Sequence, residues 1–350
     1  MRSRLLHNQH HLPQSKSRIS RMSTTPNIST ASSSPLSFHA RPHLVICDWD
    51  ETLTTKDTIQ YLAQVPYINS PQLRPRFSHY TDIYMSHYEK YKSQFGASRT
   101  KNGNVNNNSL TTKMTIDDYV EFQRGMGPVE MSSITALESD EVFRGLTELQ
   151  IRQHSAPSVK LRDGAVEFLN RCMDQGIEVV VLSVNWTSLL IDEVLRQNGF
   201  STKSSISGMS EKSEVEVGKI KIVTNEFEFD SAGKTTGNWL PQPKIRTSQD
   251  KLDYVNKLKT EYQKERAGRA SLGTSAGTIH NGNVGNVGEG NMDDTDDVNI
   301  MYIGDSLTDL LPVLNVAYPC AIKDTKLDKT LTELQFEHFS GTWFDFMRLV

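Results

Sequence analysis

Cysteine is scarce in this chain, with three in 350 residues, at Cys47, Cys172 and Cys320. Three widely separated thiols exclude a disulfide framework and a paired-cysteine zinc site, and they are expected to be buried in a protein of a reducing compartment. Long apolar runs are missing too. The longest, Ile177 to Val184, falls far short of the roughly 20 residues that a membrane helix needs, so no membrane span is expected. Acidic residues are absent from the first 47 positions, which hold six basic ones, leaving 32 basic and 42 acidic residues for the rest. An acidic body is a poor electrostatic partner for a polyanion, and nucleic acid is not expected as substrate or partner.

What is present suits a soluble chain with a sizeable core: 36% hydrophobic and 23% charged residues, over a length of about two domains. Residues 1–40, rich in Ser, His, Arg and Pro, lack a periodic apolar stripe and are predicted to form a disordered tail. Lack of an apolar centre argues against a secretory signal, whereas the acid-free, Arg- and Ser-rich character fits either a cytoplasmic tail or a mitochondrial transit peptide. Stretches 97–113 and 267–297 are low in complexity, and the tetrapeptide Asn-Gly-Asn-Val occurs in both. Both read as loops, and Asp293, Asp294, Asp296 and Asp297 read as a solvated charge run.

Between these segments strand and helix signals alternate. His43–Asp48 is a short apolar run, Val166–Asp174 has helical spacing, Ile177–Val184 is β-branched, and Thr187–Gln197 is helical again. Such alternation with doubly buried strands predicts an α/β fold on a parallel sheet. Residues 220–237 alternate and carry turn residues at Asp230 to Gly233, predicting a hairpin. A helix over about 249–264, a strand at 298–303, a helix near 308–315 and a strand near 320–322 complete the reading.

Chemistry collects where the strands end. After the first apolar run stand Asp48 and Asp50, two apart and so able to face one pocket beyond the carboxyl end of a strand. A later apolar strand ends in Gly304-Asp305, with Asp309 four residues on. Carboxylates converging in this way make a hard oxygen site, which suits Mg²⁺. Ser183, with Asn185 close behind, offers neutral donors where an anion could rest. A lysine to balance a phosphate is available in Lys251, with Lys244 as its rival.

These residues resemble the four motifs of the haloacid dehalogenase superfamily of phosphohydrolases, in order, over residues 43 to about 325. They are Asp48-x-Asp50-x-Thr52, Ser183, a lysine and Gly304-Asp305-x-x-x-Asp309. The long stretch after the first motif and the hairpin before the lysine resemble the phosphoserine phosphatase-like branch, whose helical cap follows the first motif. Many relatives have Gly where this chain has Glu51, and the spacing from Lys251 to Asp305 is some thirty residues longer than relatives usually show.

The resemblance implies a Rossmann-like catalytic core over 41–57 and 159–350 with an inserted α-helical cap over 58–158. It implies a Mg²⁺-dependent phosphatase acting on a small phosphorylated metabolite. Asp48 would be the nucleophile and Asp50 the acid and base, with Thr52, Ser183, Asn185 and Lys251 around the phosphate. Asp48, Asp50, Asp305 and Asp309 would surround the metal. A phosphotransferase or mutase could use the same groups, and a non-catalytic regulatory member could retain them. The aromatic stripe Tyr80, Tyr84, Tyr88 and Phe95 is expected to be helix core, and Arg74, Arg76, His79 and His87 solvated charge.

Overall fold

The computed structural model describes residues 41–102, 113–204, 218–273 and 298–350. The expected tail 1–40 and the acidic run at 293–297 lie outside these residues.

Leu44–Cys47 forms β1, and its side chains alternate between two cores. Val45 and Cys47 enter one hydrophobic cluster, while Leu44 and Ile46 enter the other, as the two-residue period of a strand buried on both faces requires. A tight turn, Trp49–Leu53, follows. Among the described residues the chain then runs through six α-helices before returning: α1 (Ile59–Leu62), α2 (Val65–Asn69), α3 (Ser78–Asn102), α4 (Ile116–Arg124), α5 (Gly127–Ser139) and α6 (Glu148–Ser155). Helix α7 (Ala165–Asp174) leads into β2 (Glu178–Leu182), then α8 (Ser188–Gln197), β3 (Thr202–Ser204) and β4 (Ile220–Val223). Strands β5 (Phe227–Phe229) and β6 (Thr235–Trp239) precede helix α9 (Ser248–Gly273). The remainder is β7 (Ile300–Gly304), α10 (Leu310–Val313), β8 (Tyr318–Ile322), α11 (Lys326–Glu333), β9 (Phe339–Gly341) and α12 (Trp343–Phe346).

Seven strands form one sheet in the order β3-β4-β2-β1-β7-β8-β9, every neighbouring pair parallel. The architecture is α/β, a Rossmann-like parallel sheet with helices on both faces and a helical insertion after β1. Strand order reverses on either side of β1, which pairs with β2 on one edge and β7 on the other. In such sheets the crevice at the carboxyl ends of the strands flanking the reversal is where ligands bind.

Three readings of the sequence change. The expected hairpin 220–237 divides: β4 joins the main sheet, and only β5 and β6 pair antiparallel. The break falls at Thr224 and Asn225, whose side chains bond back to the loop after β2. Helix α3 runs to Asn102 rather than ending before 97, and Arg99 on that last turn forms a two-pronged pair with Asp118, at 2.8 and 2.7 Å. Helix α9 continues to Gly273, past both the expected end at 264 and the start of the expected loop; Ala267, Ala270 and Leu272 favour the helix there. The aromatic stripe packs as core in two places: Tyr84, Tyr88 and Phe95, joined by Tyr91, surround Phe122, Met126 and Val129, while Tyr80 is buried in the larger cluster with Phe77 and Phe143. Arg74, Arg76, His79 and His87 are exposed.

The hairpin, the insertion and the loop after β2 meet in an aromatic joint. Phe143 stands 5.0 Å from Phe227 and 5.4 Å from Trp186, and Trp239 stands 5.0 Å from Phe227, ring centre to ring centre. The Trp239 indole N–H donates to the Trp186 carbonyl at 3.0 Å.

Candidate active site

Asp48 follows the last residue of β1, and Asp305 follows the last residue of the adjacent β7; the register sets Asp48 level with Gly304, so the two acids stand at neighbouring strand ends with Asp305 one residue further on. Asp309 is brought back toward them by the turn after β7. That return needs Gly304, where an added Cβ would stand 2.5 Å from the Asp309 side chain. Carboxylate oxygens of Asp48, Asp305 and Asp309 lie within 4.8 Å of one another, and all three residues are buried. Lys251, fully buried on the first turns of α9, joins two of them: its Nζ is 2.8 Å from Asp48 Oδ1 and 2.7 Å from Asp309 Oδ1. Lys244 is exposed.

Each acid has a different set of donors. Asp309 Oδ1 also accepts the Tyr302 hydroxyl at 2.8 Å, while its Oδ2 accepts the backbone N–H groups of Asp305 and Ser306, both at 3.2 Å. Asp305 Oδ1 accepts the Thr52 hydroxyl at 2.9 Å, so the threonine expected beside a phosphate gives its proton to a carboxylate. Asp50 Oδ1 accepts the backbone N–H of Thr58 at 2.6 Å and its hydroxyl at 2.5 Å; Asp50 Oδ2 accepts Asn185 Nδ2 at 3.0 Å. Asn185, expected at the phosphate, thus holds Asp50 with its side chain. Ser183 is fully buried and its Oγ accepts the Asn185 N–H at 3.0 Å, leaving its own proton to donate.

Burial dominates the electrostatics. It pushes the Asp48 carboxyl up to about 8, with the Asp309 charge adding to the rise and Lys251 opposing it. Asp305 is raised as well, by burial and then by Asp309 and Asp48, against the Thr52 hydrogen bond. Asp50 is raised by burial, partly countered by the bonds from Thr58 and Asn185. For Lys251 burial works to lower the pKa, but the charges of Asp309 and Asp48 outweigh it and the ammonium is held more firmly. One lysine pairs with only two of these buried acids, and their mutual repulsion, which raises Asp48 and Asp305, is what a bound cation would relieve.

Glu51 occupies the left-handed region at φ 58°, the conformation that Gly adopts freely. Its N–H donates to Thr54 Oγ1 at 3.0 Å and its carbonyl accepts Arg162 Nε at 2.9 Å, so the turn keeps its shape without a glycine.

Sequence reasoning missed three contributors. Thr58 fixes Asp50, as above. Tyr302 is a polar residue in an otherwise apolar buried strand, and that was its signal. Asn225, 1% exposed, donates through Nδ2 to the carbonyls of Asn185 at 2.8 Å and Ile245 at 2.7 Å, and accepts the Ile245 N–H at 3.0 Å. It ties the loop after β2 to the segment entering α9. Reading 220–237 as one hairpin hid its place at a strand's carboxyl end.

A parallel sheet reversing at β1, with paired acids at the ends of β1 and β7 and a lysine between them, decides the architecture. The fold is the haloacid dehalogenase-like one. Similar solved structures include hydrolases of that superfamily and phosphoserine phosphatases. A substrate-bound phosphoserine phosphatase complex is 12% identical at a TM-score of 0.46, covering 89% of this chain and 100% of that one. No protein-family model matches the sequence. Among curated proteins, Cold tolerance protein 1 of Saccharomyces cerevisiae is 29% identical over 163 residues, 43% of this chain and 50% of the yeast protein. The CTO1 family protein C17G9.12c of Schizosaccharomyces pombe is 27% identical over 197 residues, 55% of this chain and 59% of that protein. The chain therefore spans between 50% and 59% of the lengths of these two relatives. Among the described residues no helix is long and apolar enough to cross a membrane.

Proposed function

We propose that this protein is a Mg²⁺-dependent phosphatase that hydrolyses a small phosphomonoester through an aspartyl phosphate on Asp48. The observation that carries the reading is the buried Lys251 ammonium held between Asp48 and Asp309, beside a third carboxylate on Asp305. The donor set fits a hard divalent cation, being all oxygen, anionic and withdrawn from water. Asp48, Asp305 and the backbone carbonyl of Asp50 would hold it. Asp309, whose oxygens already accept four protein donors, supports the site by orienting Lys251 and the Asp305 turn. When bound, the cation neutralises charge on the phosphoryl oxygens.

Asp48 attacks phosphorus through a carboxylate oxygen while the bond from phosphorus to the ester oxygen breaks. Asp50, its carboxyl raised by burial, gives its proton to the departing oxygen. Asp50 then takes a proton from water as that water attacks the acyl phosphate, releasing inorganic phosphate and restoring Asp48. Lys251 offsets the repulsion between the nucleophile and the phosphate, and the Ser183 hydroxyl donates to a phosphoryl oxygen.

Residues 41–57 and 159–350 form the catalytic core in this reading, and 58–158 the cap that limits entry to small esters. Three cysteines, each free and buried, favour a reducing, cytoplasmic setting. The test is phosphate release from p-nitrophenyl phosphate with Mg²⁺ and with a chelator, followed by a panel of phosphorylated metabolites. Native protein is expected to need Mg²⁺, and Asp48→Asn to fall below roughly a thousandth of native turnover. Mg²⁺-dependent turnover retained by Asp48→Asn would remove the nucleophile.

A further inference from the structure

Thr58, at the head of α1, is 1% exposed, and its hydroxyl has three partners. The Trp49 indole N–H donates to Thr58 Oγ1 at 3.1 Å, and Asn185 Nδ2 donates to the same oxygen at 2.9 Å. An indole nitrogen can only donate, and the Asn185 amide is held the same way round because its Oδ1 accepts the Trp186 N–H at 2.7 Å. A hydroxyl has two lone pairs and one proton. With both lone pairs taken, the Thr58 proton goes to Asp50 Oδ1, at 2.5 Å. The Thr58 backbone N–H reaches that oxygen too, at 2.6 Å. Asp50 thus accepts two donors on Oδ1 and, among the described residues, one on Oδ2, from Asn185 at 3.0 Å. A carboxylate has about four acceptor positions, two to each oxygen. The open one is on Oδ2.

We infer that Thr58 is a positioning residue for proton transfer: by filling Asp50 Oδ1 it leaves Oδ2 as the atom through which Asp50 gives and takes the proton. The inference rests on the phosphatase reading and deepens it. As Asp48 bonds to phosphorus and the bond from phosphorus to the ester oxygen breaks, Oδ2–H passes its proton to that oxygen. As water then bonds to phosphorus and the bond to Asp48 breaks, Oδ2 takes a proton from the water. Transfer in the first step needs the donor atom fixed within hydrogen-bond reach of the departing oxygen. Without the Thr58 hydroxyl, Oδ1 gains an open position of its own and the proton can settle on the wrong oxygen. Asn185 serves the same end, since both protons of its amide are spent on Asp50 and Thr58.

Purified full-length native protein, Thr58→Val and Thr58→Ser are compared with Mg²⁺ on phenyl phosphate and p-nitrophenyl phosphate, with a melting temperature to establish that each variant is folded. The two esters are close in size, but phenolate is the poorer leaving group and depends more on receiving a proton. Because kcat/KM covers the steps up to departure of the leaving group, it is the quantity compared. The ratio of kcat/KM for p-nitrophenyl phosphate to that for phenyl phosphate is expected to rise about tenfold in Thr58→Val and to keep its native value in Thr58→Ser, which retains the hydroxyl. Thr58→Ala carries the same expectation as Thr58→Val and replaces it if the valine variant does not fold. An equal loss on both esters overturns the inference and marks a packing role. An unchanged ratio overturns it too, as does a ratio that rises as far in Thr58→Ser as in Thr58→Val. Native protein that hydrolyses neither ester with Mg²⁺ fails at the earlier step and removes the phosphatase reading itself.

Discussion

Thr52 and Asn225 show how far the site depends on groups that never meet a phosphate. The Thr52 hydroxyl donates to Asp305 Oδ1 at 2.9 Å, and a hydrogen bond to a charged group is worth about 1.5–3 kcal/mol. Thr52→Val keeps the shape and removes the donor, so the Mg²⁺ concentration for half-maximal turnover is expected to rise on the order of tenfold; an unchanged Mg²⁺ titration would refute it. Asn225 clamps the backbone of Asn185 to that of Ile245. Asn225→Ala takes a partner from the Val184 and Ile245 carbonyls and the Ile245 N–H, while the Asn185 carbonyl keeps the Thr224 hydroxyl, at a cost of about 1–3 kcal/mol for each group that finds no other. Calorimetry should show weaker binding of orthovanadate by the folded variant, because the Ser183 loop and the Lys251 helix lose their common tether; full vanadate affinity with a lowered melting temperature would make the clamp purely structural. At this scale the sequence revealed the clustered acids, since carboxylates after apolar strands are conspicuous. It concealed their partners. Thr52 acquires its role from a neighbour 253 residues away and Asn225 from neighbours 40 and 20 residues away, and no local pattern marks either.

Among the elements, strands buried on both faces were the most legible. Continuous apolar stretches at β1, β2 and β7 announced them, and the acids at the ends of β1 and β7 followed directly. Helix ends were less so. The Arg99–Asp118 pair that secures the last turns of α3 joins residues 19 apart, beyond any helical period. The aromatic joint was equally hidden, because Phe143, Trp186, Phe227 and Trp239 come from three separate segments. Trp239 is its centre: buried, ringed by Phe143, Phe227 and Trp186, and hydrogen-bonded to the loop that carries Asn185. Trp239→Ala is expected to cost about 3–5 kcal/mol of stability, measured by urea denaturation. A loss below about 1 kcal/mol would mean that the hairpin packs against the insertion without needing the indole.

On the scale of the whole molecule, the buried carboxylates link stability to pH. In the unfolded chain Asp48 and Asp305 titrate near the ordinary value of about 4. Folding raises Asp48 to about 8, through burial first and Asp309 second, and moves Asp305 in the same direction. The folded state therefore binds more protons than the unfolded one above about pH 4, and the metal-free protein is expected to lose stability as pH rises from there, Asp48 contributing up to about pH 8 and Asp305 and Asp50 adding to the loss in the same direction. On the proposed reading Mg²⁺ would bind the ionised carboxylates, so it should raise the melting temperature more at pH 8 than at pH 5.5; its stabilisation would reach about 2.7 kcal/mol at a hundredfold excess over Kd. Equal Mg²⁺ shifts at the two pH values would place the cation away from these acids.

The Trp343 indole N–H donates to the Thr52 carbonyl at 3.0 Å, across 291 residues of chain. The turn that holds Asp50 and Thr52 is made early and braced late. A ribosome adding about 5–20 residues per second reaches Trp343 roughly 15–60 s after it has passed Thr52. During that interval Asp48 and Asp50 are already joined to the growing chain, Lys251 and Asp305 are added on the way, and the bracing indole comes after both. On the proposed reading, a chain stalled before Lys251 and Asp305 carries the nucleophile Asp48 without the groups that would let it act.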